Sequence, residues 1–130
     1  MRYQISICDD EQIWCELLTK LVCRWAEQRK YPIQITCFQT AEEFLFQESD
    51  KTTNIVLLDI EMKKMNGIDL AKKIRQENKE IQIIFVTGYL DYIQDGYEVE
   101  ALHYLLKPIT EEKLYIVLDR AAERLLFLDK

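Results

Sequence analysis

Residues Asn54–Glu61 read N-I-V-L-L-D-I-E, and the fold turns on them. The unbroken aliphatic run Ile55–Leu58 is what a strand buried on both sheet faces requires. A carboxylate, Asp59, follows at once. Burying a carboxylate without a partner is costly, so the run must end where a charge finds partners.

Outward from this strand the pattern alternates. Tyr3–Cys8 reads as a strand, and Gln12–Arg29 carries Ile13, Leu17, Leu18, Leu21, Val22 and Trp25 at helical spacing. Pro32–Phe38 alternates Ile33, Ile35 and Cys37, and Pro32 marks it as an edge strand. Thr40 followed by Glu43 has the capping-box form and opens a short helix through Phe46. After Asp59, Gly67 breaks the loop. Ile68, Leu70, Ala71 and Ile74 then form the apolar stripe of a helix ending near Asn78. Ile81–Val86 is a nearly continuous apolar strand, and Tyr89–Glu98 a weak helix with Gly96 inside it. Leu102–Leu106 is the fifth strand, and Thr110 caps a last helix with Leu114, Val117, Leu118, Ala121, Ala122 and Leu125 on one face. Five strands alternating with five helices predict a doubly wound parallel sheet. With right-handed crossovers and an edge position for the second strand, the flavodoxin-like order 2-1-3-4-5 is expected.

The 130 residues fit one domain, 48% apolar and 31% charged, as in globular rather than disordered chains. No apolar run reaches membrane-span length and no signal-peptide core follows Arg2, so a cytoplasmic, membrane-free setting is expected. A net charge of −6 argues against direct nucleic-acid contact by this domain. Cys8, Cys15, Cys23 and Cys37 form no C-x-x-C pair, which disfavours zinc. Cys15 and Cys23, eight residues apart on one helix, stand roughly 12 Å from each other, too far for a disulfide. All four are expected to be reduced and mostly buried.

The strands end on chemistry. Strand one runs into Asp9-Asp10-Glu11, strand three into Asp59, strand four into Thr87-Gly88 and strand five into Lys107-Pro108. Parallel strands place those ends on one edge, where open α/β folds hold ligands. Each residue has a plain structural use: Asp9 or Asp10 as a helix cap, Thr87 as a loop hydroxyl, Lys107 as a solvated lysine, Pro108 as a strand stop. Their coincidence at one edge outweighs those uses. Clustered carboxylates hold one another protonated unless a cation intervenes, and an all-oxygen donor set suits Mg²⁺. Lys107 and Thr87 can hold phosphoryl oxygens, and a carboxylate can itself take a phosphoryl group.

At this point the chain resembles a known family across essentially its whole length. The segments Cys8-Asp9-Asp10-Glu11, Leu58-Asp59-Ile60-Glu61-Met62, Met65-Asn66-Gly67-Ile68, Val86-Thr87-Gly88 and Tyr104-Leu105-Leu106-Lys107-Pro108 are similar to those of bacterial response regulator receiver domains. Their wording is closest to the LytR/AlgR branch. The resemblance implies Asp59 as phosphoacceptor and Asp10 as a direct Mg²⁺ ligand, with Asp9 partly through water and the backbone carbonyl of Glu61 as another ligand. It implies Thr87 and Lys107 on the phosphoryl oxygens, a cis Lys107–Pro108 peptide, and Thr87 with Tyr104 as a switch pair. It further implies a sensor histidine kinase as partner and dimerisation on phosphorylation. The chain is either a stand-alone receiver or, as the branch resemblance favours, one whose transcriptional output runs through a C-terminal DNA-binding domain beyond residues 1–130. The only catalysis would be of the domain's own phosphorylation and dephosphorylation. Tyr89 and Glu61 occupy positions that resemble the family's tuners of phosphate lifetime. Lys63 stands where proline is frequent, and His103 where an acid is common. Tyr89, Tyr92, Tyr97, Tyr104 and Tyr115 are either a contact surface or helix-face packing.

Rival readings fit less well. A haloacid-dehalogenase-type phosphatase wants D-x-D on the first strand, whereas Asp59-Ile60-Glu61 follows the third. A nucleotide-binding flavodoxin-like module lacks a glycine-rich loop, the glycines being only Gly67, Gly88 and Gly96. A pure interaction platform predicts loss of an acid or of the lysine, and none is missing.

Overall fold

The computed structural model describes residues 2–47 and 52–128. Along them run β1 (Tyr3–Cys8), α1 (Gln12–Arg29), β2 (Ile33–Phe38), α2 (Ala41–Gln47), β3 (Ile55–Leu58), α3 (Gly67–Glu77), β4 (Gln82–Thr87), α4 (Ile93–Glu98), β5 (His103–Leu106) and α5 (Glu111–Leu128). All strand pairs are parallel and the order is β2-β1-β3-β4-β5, as the sequence predicts. The edge strand β2 is half exposed, whereas β3 and β4 are buried throughout.

Side-chain alternation divides the core into two layers. Ile55 and Leu57 of β3, with Ile84 and Val86 of β4, pack beneath α1 and α5. Val56 and Leu58, with Ile83 and Phe85, pack under α2 and α3 on the opposite face. Gly96 of α4 lies on that second face, where a β-carbon would meet the rings of Phe85 and Tyr104 at 3.4 Å. Outside the sheet, α1 and α5 are joined by Asp119. It accepts from Trp25 Nε1 at 2.8 Å and from Arg29 Nε and Nη2 at 2.5 and 3.0 Å. The Arg29 guanidinium holds the Asp119 carboxyl below the usual carboxylate range.

Several local expectations shift. The weak fourth helix starts at Ile93 rather than Tyr89, since its glycine-bearing sequence sustains little more than one turn. Thr40 and Thr110 do cap their helices, accepting from the amides of Glu43 and Lys113 at 3.1 and 3.2 Å. Ile13 and Leu17, which share the helical spacing of the α1 core residues, face solvent at 70% and 40% exposure. None of the four cysteines is in a disulfide, and only Cys8 and Cys15 are buried. Cys23 lies on the outer face of α1, and Cys37 lies on the edge strand, where one sheet face is only partly covered. Burial pushes the Cys15 thiol up to about 12, with further help from the neighbouring Cys37 and Asp9.

Candidate functional site

The register brings the acids together. Cys8 pairs with Leu58 across β1 and β3, so Asp9 and Asp59 leave the sheet side by side. The Asp59 amide donates to the Cys8 carbonyl at 2.9 Å, and the Asp9 amide to the Phe38 carbonyl at 3.0 Å. Asp9 is 1% exposed and Asp59 5%. With the half-buried Asp10 they form a carboxylate cluster whose ligand atoms lie within 4.8 Å of one another. From the end of β5, Lys107 Nζ reaches Asp9 Oδ2 at 2.7 Å and Asp59 Oδ2 at 3.5 Å. The Lys107 amide donates to the Thr87 carbonyl at 2.8 Å, which joins the ends of β4 and β5. The Lys107–Pro108 peptide is cis, the isomer that needs proline.

Neither Asp9 nor Asp10 serves as the N-cap of α1. That residue is Glu11, which makes no side-chain cap bond. Instead Asp9 Oδ1 accepts from the Glu11 amide at 3.0 Å, leaving Oδ2 to the lysine. Asp59 Oδ1 accepts from the Ile60 amide at 2.9 Å, leaving its Oδ2 toward the site. Burial, and then the charge of Asp9, push the Asp59 carboxyl up to about 6; Lys107 and the Ile60 amide ease it back. The Thr87 side chain is fully buried and its hydroxyl completes no hydrogen bond. A buried hydroxyl without a partner is costly, and here it stands beside the raised carboxylate. Glu61 stands at the exposed rim, two residues past Asp59.

The raised carboxyl has a measurable consequence. Between pH 3.8, the ordinary value, and about 6, the folded chain keeps a proton that the unfolded chain has released. Stability therefore falls as pH rises through that window, and the penalty is fully present at neutral pH. Asp59→Asn removes it. In EDTA, urea unfolding at pH 7 should show the variant more stable by roughly 2 kcal/mol, with the gain vanishing below about pH 4. Equal stabilities at pH 7 would contradict the raised value.

A model of the response regulator receiver domain matches residues 5–119. The chain belongs to the response regulator receiver domain family. The sensory transduction protein LytT of Oceanobacillus iheyensis is 35% identical over 127 residues, covering 96% of this chain and 50% of its own. LytT of Bacillus subtilis is 30% identical over 111 residues, 85% of this chain and 44% of its own. These relatives agree with the LytR/AlgR resemblance, and the chain spans about half their length. Among solved structures, the REC domain of AraT, a response regulator from Geobacillus stearothermophilus, is similar with a TM-score of 0.86 at 25% identity, covering 100% of both chains. The BeF3-activated receiver domain of DrrB is similar at 0.78 and 26% identity, with 95% of this chain and 99% of that one covered.

Within this receiver domain the expected residues all come to the strand ends except Tyr104, which lies behind them. Its ring packs against Phe85 with centroids 5.8 Å apart, and its hydroxyl donates to the Tyr89 carbonyl. Among the other tyrosines, Tyr97 is 82% exposed and Tyr115 is buried, so the group divides between surface and core. Lys63 and Lys64 are exposed and form no ion pair among those described for this site.

Two contributors escape a reading of the sequence. The Trp14 ring lies under Lys107 Nζ at 4.5 Å from its centroid, and only its place in the first turn of α1, just after the acids, hints at this. Gly67 abuts the backbone of Asp59. The sequence marks it as a loop glycine without saying which atom it must avoid.

Proposed function

We propose that the chain accepts a phosphoryl group on Asp59 and converts that event into a change of its α4–β5–α5 surface. The observation that carries this reading is the convergence at one sheet edge of three carboxylates within 4.8 Å of one another, two of them in ion-pair contact with a nearly buried lysine. Three acids and one ammonium leave negative charge uncompensated, and every donor in the cluster is an oxygen. This suits a hard divalent cation. Asp9, Asp10, Asp59 and the backbone carbonyl of Glu61 would hold Mg²⁺, which when bound offsets charge on the incoming phosphoryl group.

The chain's own groups do the rest. Asp59, ionised in most molecules at neutral pH given a value near 6, attacks phosphorus through a carboxylate oxygen. A P–O bond forms to Asp59 while the bond to the donor breaks, and the donor departs with the electron pair. The donor is the phosphohistidine of a sensor histidine kinase, or acetyl phosphate in vitro. Lys107 and the unpartnered Thr87 hydroxyl take phosphoryl oxygens. Engagement of Thr87 shifts the end of β4 and frees space for Tyr104 behind it. Hydrolysis of the acyl phosphate by the domain itself resets the switch.

On the output side, Tyr89, Leu90, Ile93, Tyr97, Leu106 and Ile116 expose large apolar area around α4, β5 and α5, which supports homodimerisation there on phosphorylation. Transcriptional control through a C-terminal DNA-binding domain fits both the acidic charge of −6 and the half-length coverage of the LytT relatives. No helix among the described residues is long and apolar enough to cross a membrane, and we assign the domain to the cytoplasm. Incubation with Mg²⁺ and acetyl phosphate should add a single hydroxylamine-labile phosphate by intact mass. No addition to the wild type, or an undiminished addition to Asp59→Asn, overturns the reading.

A further inference from the structure

Lys107 has three neighbours and can lose two of them to a bound cation. Its ammonium lies 2.7 Å from Asp9 Oδ2, 3.5 Å from Asp59 Oδ2 and 4.5 Å from the centroid of the Trp14 ring. The two carboxylates are also members of the acidic cluster that can hold a cation. A divalent cation and the ammonium therefore compete for Asp9 and Asp59, because like charges repel and the oxygen lone pairs are shared. The indole face does not enter that competition. It is uncharged, offers no ligand for a hard cation, and attracts an ammonium through its quadrupole whatever the acids are doing.

The ring is held where it is needed. Trp14 is half-buried in the first turn of α1, its amide donating to the Glu11 carbonyl at 3.1 Å. That turn is fastened to the Asp9 loop at two further points. The Glu11 amide donates to Asp9 Oδ1 at 3.0 Å, and the Cys15 thiol donates to the Asp9 carbonyl at 3.3 Å. So the element carrying the indole moves with the acid that Lys107 contacts. The lysine reaches the site from the far side, after β5, on a flexible four-carbon stem. With its side chain only 10% exposed, the ammonium gains more from the ring than it would in bulk water.

We propose that Trp14 is a positioning residue for Lys107: its indole face keeps the ammonium at the mouth of the site when a cation occupies the acids, ready to meet a phosphoryl oxygen. This rests on the reading of Asp59 as phosphoacceptor. The expected loss is one of rate and of lysine geometry, not of folding, because Trp14 lies outside both core clusters.

The test compares wild type, Trp14→Phe and Trp14→Leu as full chains at saturating Mg²⁺. Phenylalanine keeps an aromatic face; leucine keeps apolar bulk without one. Phosphorylation by acetyl phosphate, followed by intact mass, should slow about tenfold in Trp14→Leu and much less in Trp14→Phe. In proton NMR, the Lys107 ε-methylene of the wild type should show an upfield ring-current shift that persists with Mg²⁺ and disappears in Trp14→Leu. A leucine variant that keeps pace with the wild type overturns the proposal. So do leucine and phenylalanine variants slowed equally, which would make the role one of bulk alone, and so does an ε-methylene unshifted in the Mg²⁺-loaded wild type. A wild type that takes no phosphate overturns the phosphoacceptor reading, and this proposal with it.

Discussion

Gly67→Ala should cost about 3 kcal/mol of folding stability, at the upper end for overpacking, and should displace Asp59, the proposed phosphoacceptor. A β-carbon at Gly67 falls 2.1 Å from the Asp59 carbonyl oxygen and 2.9 Å from both Asp59 C and Ile60 Cα. All three are backbone atoms, so no rotamer change relieves the contact. Nor can the loop swing away easily, since the Gly67 amide donates to the Ile60 carbonyl at 2.8 Å. Next to it, Asn66 caps α3 through Oδ1, which accepts from the Asp69 amide at 2.9 Å. Relief must come from moving the end of β3, which carries the Asp59 side chain away from Asp9 and Lys107. Urea unfolding should therefore report a lower midpoint, and acetyl phosphate should label the variant poorly. Gly88→Ala is the internal control. A β-carbon there meets nothing within 4 Å, so stability should stay within about 0.5 kcal/mol of wild type. Similar losses at both glycines would contradict the close-approach argument.

Lys107→Met should lower stability by about 3 kcal/mol at pH 7 in EDTA, the cost of leaving buried charge without its partner. The lysine is the only cation in ion-pair contact with Asp9 and Asp59 among the described residues. Without it, the Asp59 carboxyl loses the largest influence holding its value down and rises beyond about 6. A carboxyl whose folded value is raised penalises the fold above that value and ceases to do so once protonated. The variant's deficit should accordingly be largest at neutral pH and shrink as pH falls through and below 6. The same reasoning gives Mg²⁺ an opposite effect on the pair: with no ammonium competing for Asp9 Oδ2, the variant should bind Mg²⁺ more tightly and regain stability from it. The checks are urea titrations at pH 7 and pH 4.5, with and without Mg²⁺. A deficit that does not depend on pH would assign the loss to packing of the lysine stem instead.

Much of the architecture is legible in the sequence alone. Ile55–Leu58 and Ile81–Val86 could only be central strands, because an apolar run with no polar face has to be covered on both sides. Pro32 sent β2 to the edge, and strand order followed from the right-handed crossover. Once the strands were parallel, Asp9, Asp10, Asp59, Thr87 and Lys107 had to share one edge. Helical spacing was less decisive. It grouped Ile13 and Leu17 with Leu18 and Trp25, yet the first pair faces water, because periodicity marks a stripe without saying how wide the covering surface is. Cys37, expected to be buried, is exposed for a related reason: alternation identifies a strand's two faces but not whether each is covered.

Distances belong to the tertiary structure. Which carboxylate oxygen the lysine takes, how high burial raises Asp59, and that the Thr87 hydroxyl lacks a partner all depend on how closely separate segments approach. Trp14 and Lys107 are 93 positions apart in the chain, yet their contact is 4.5 Å. The clash that reserves position 67 for glycine arises only when the loop after β3 closes on Asp59. Residue types and their period determined by themselves that acids, a hydroxyl and a lysine would meet at one sheet edge. Only packing decided their separations, and electrostatic and steric energies change steeply over the few ångströms involved.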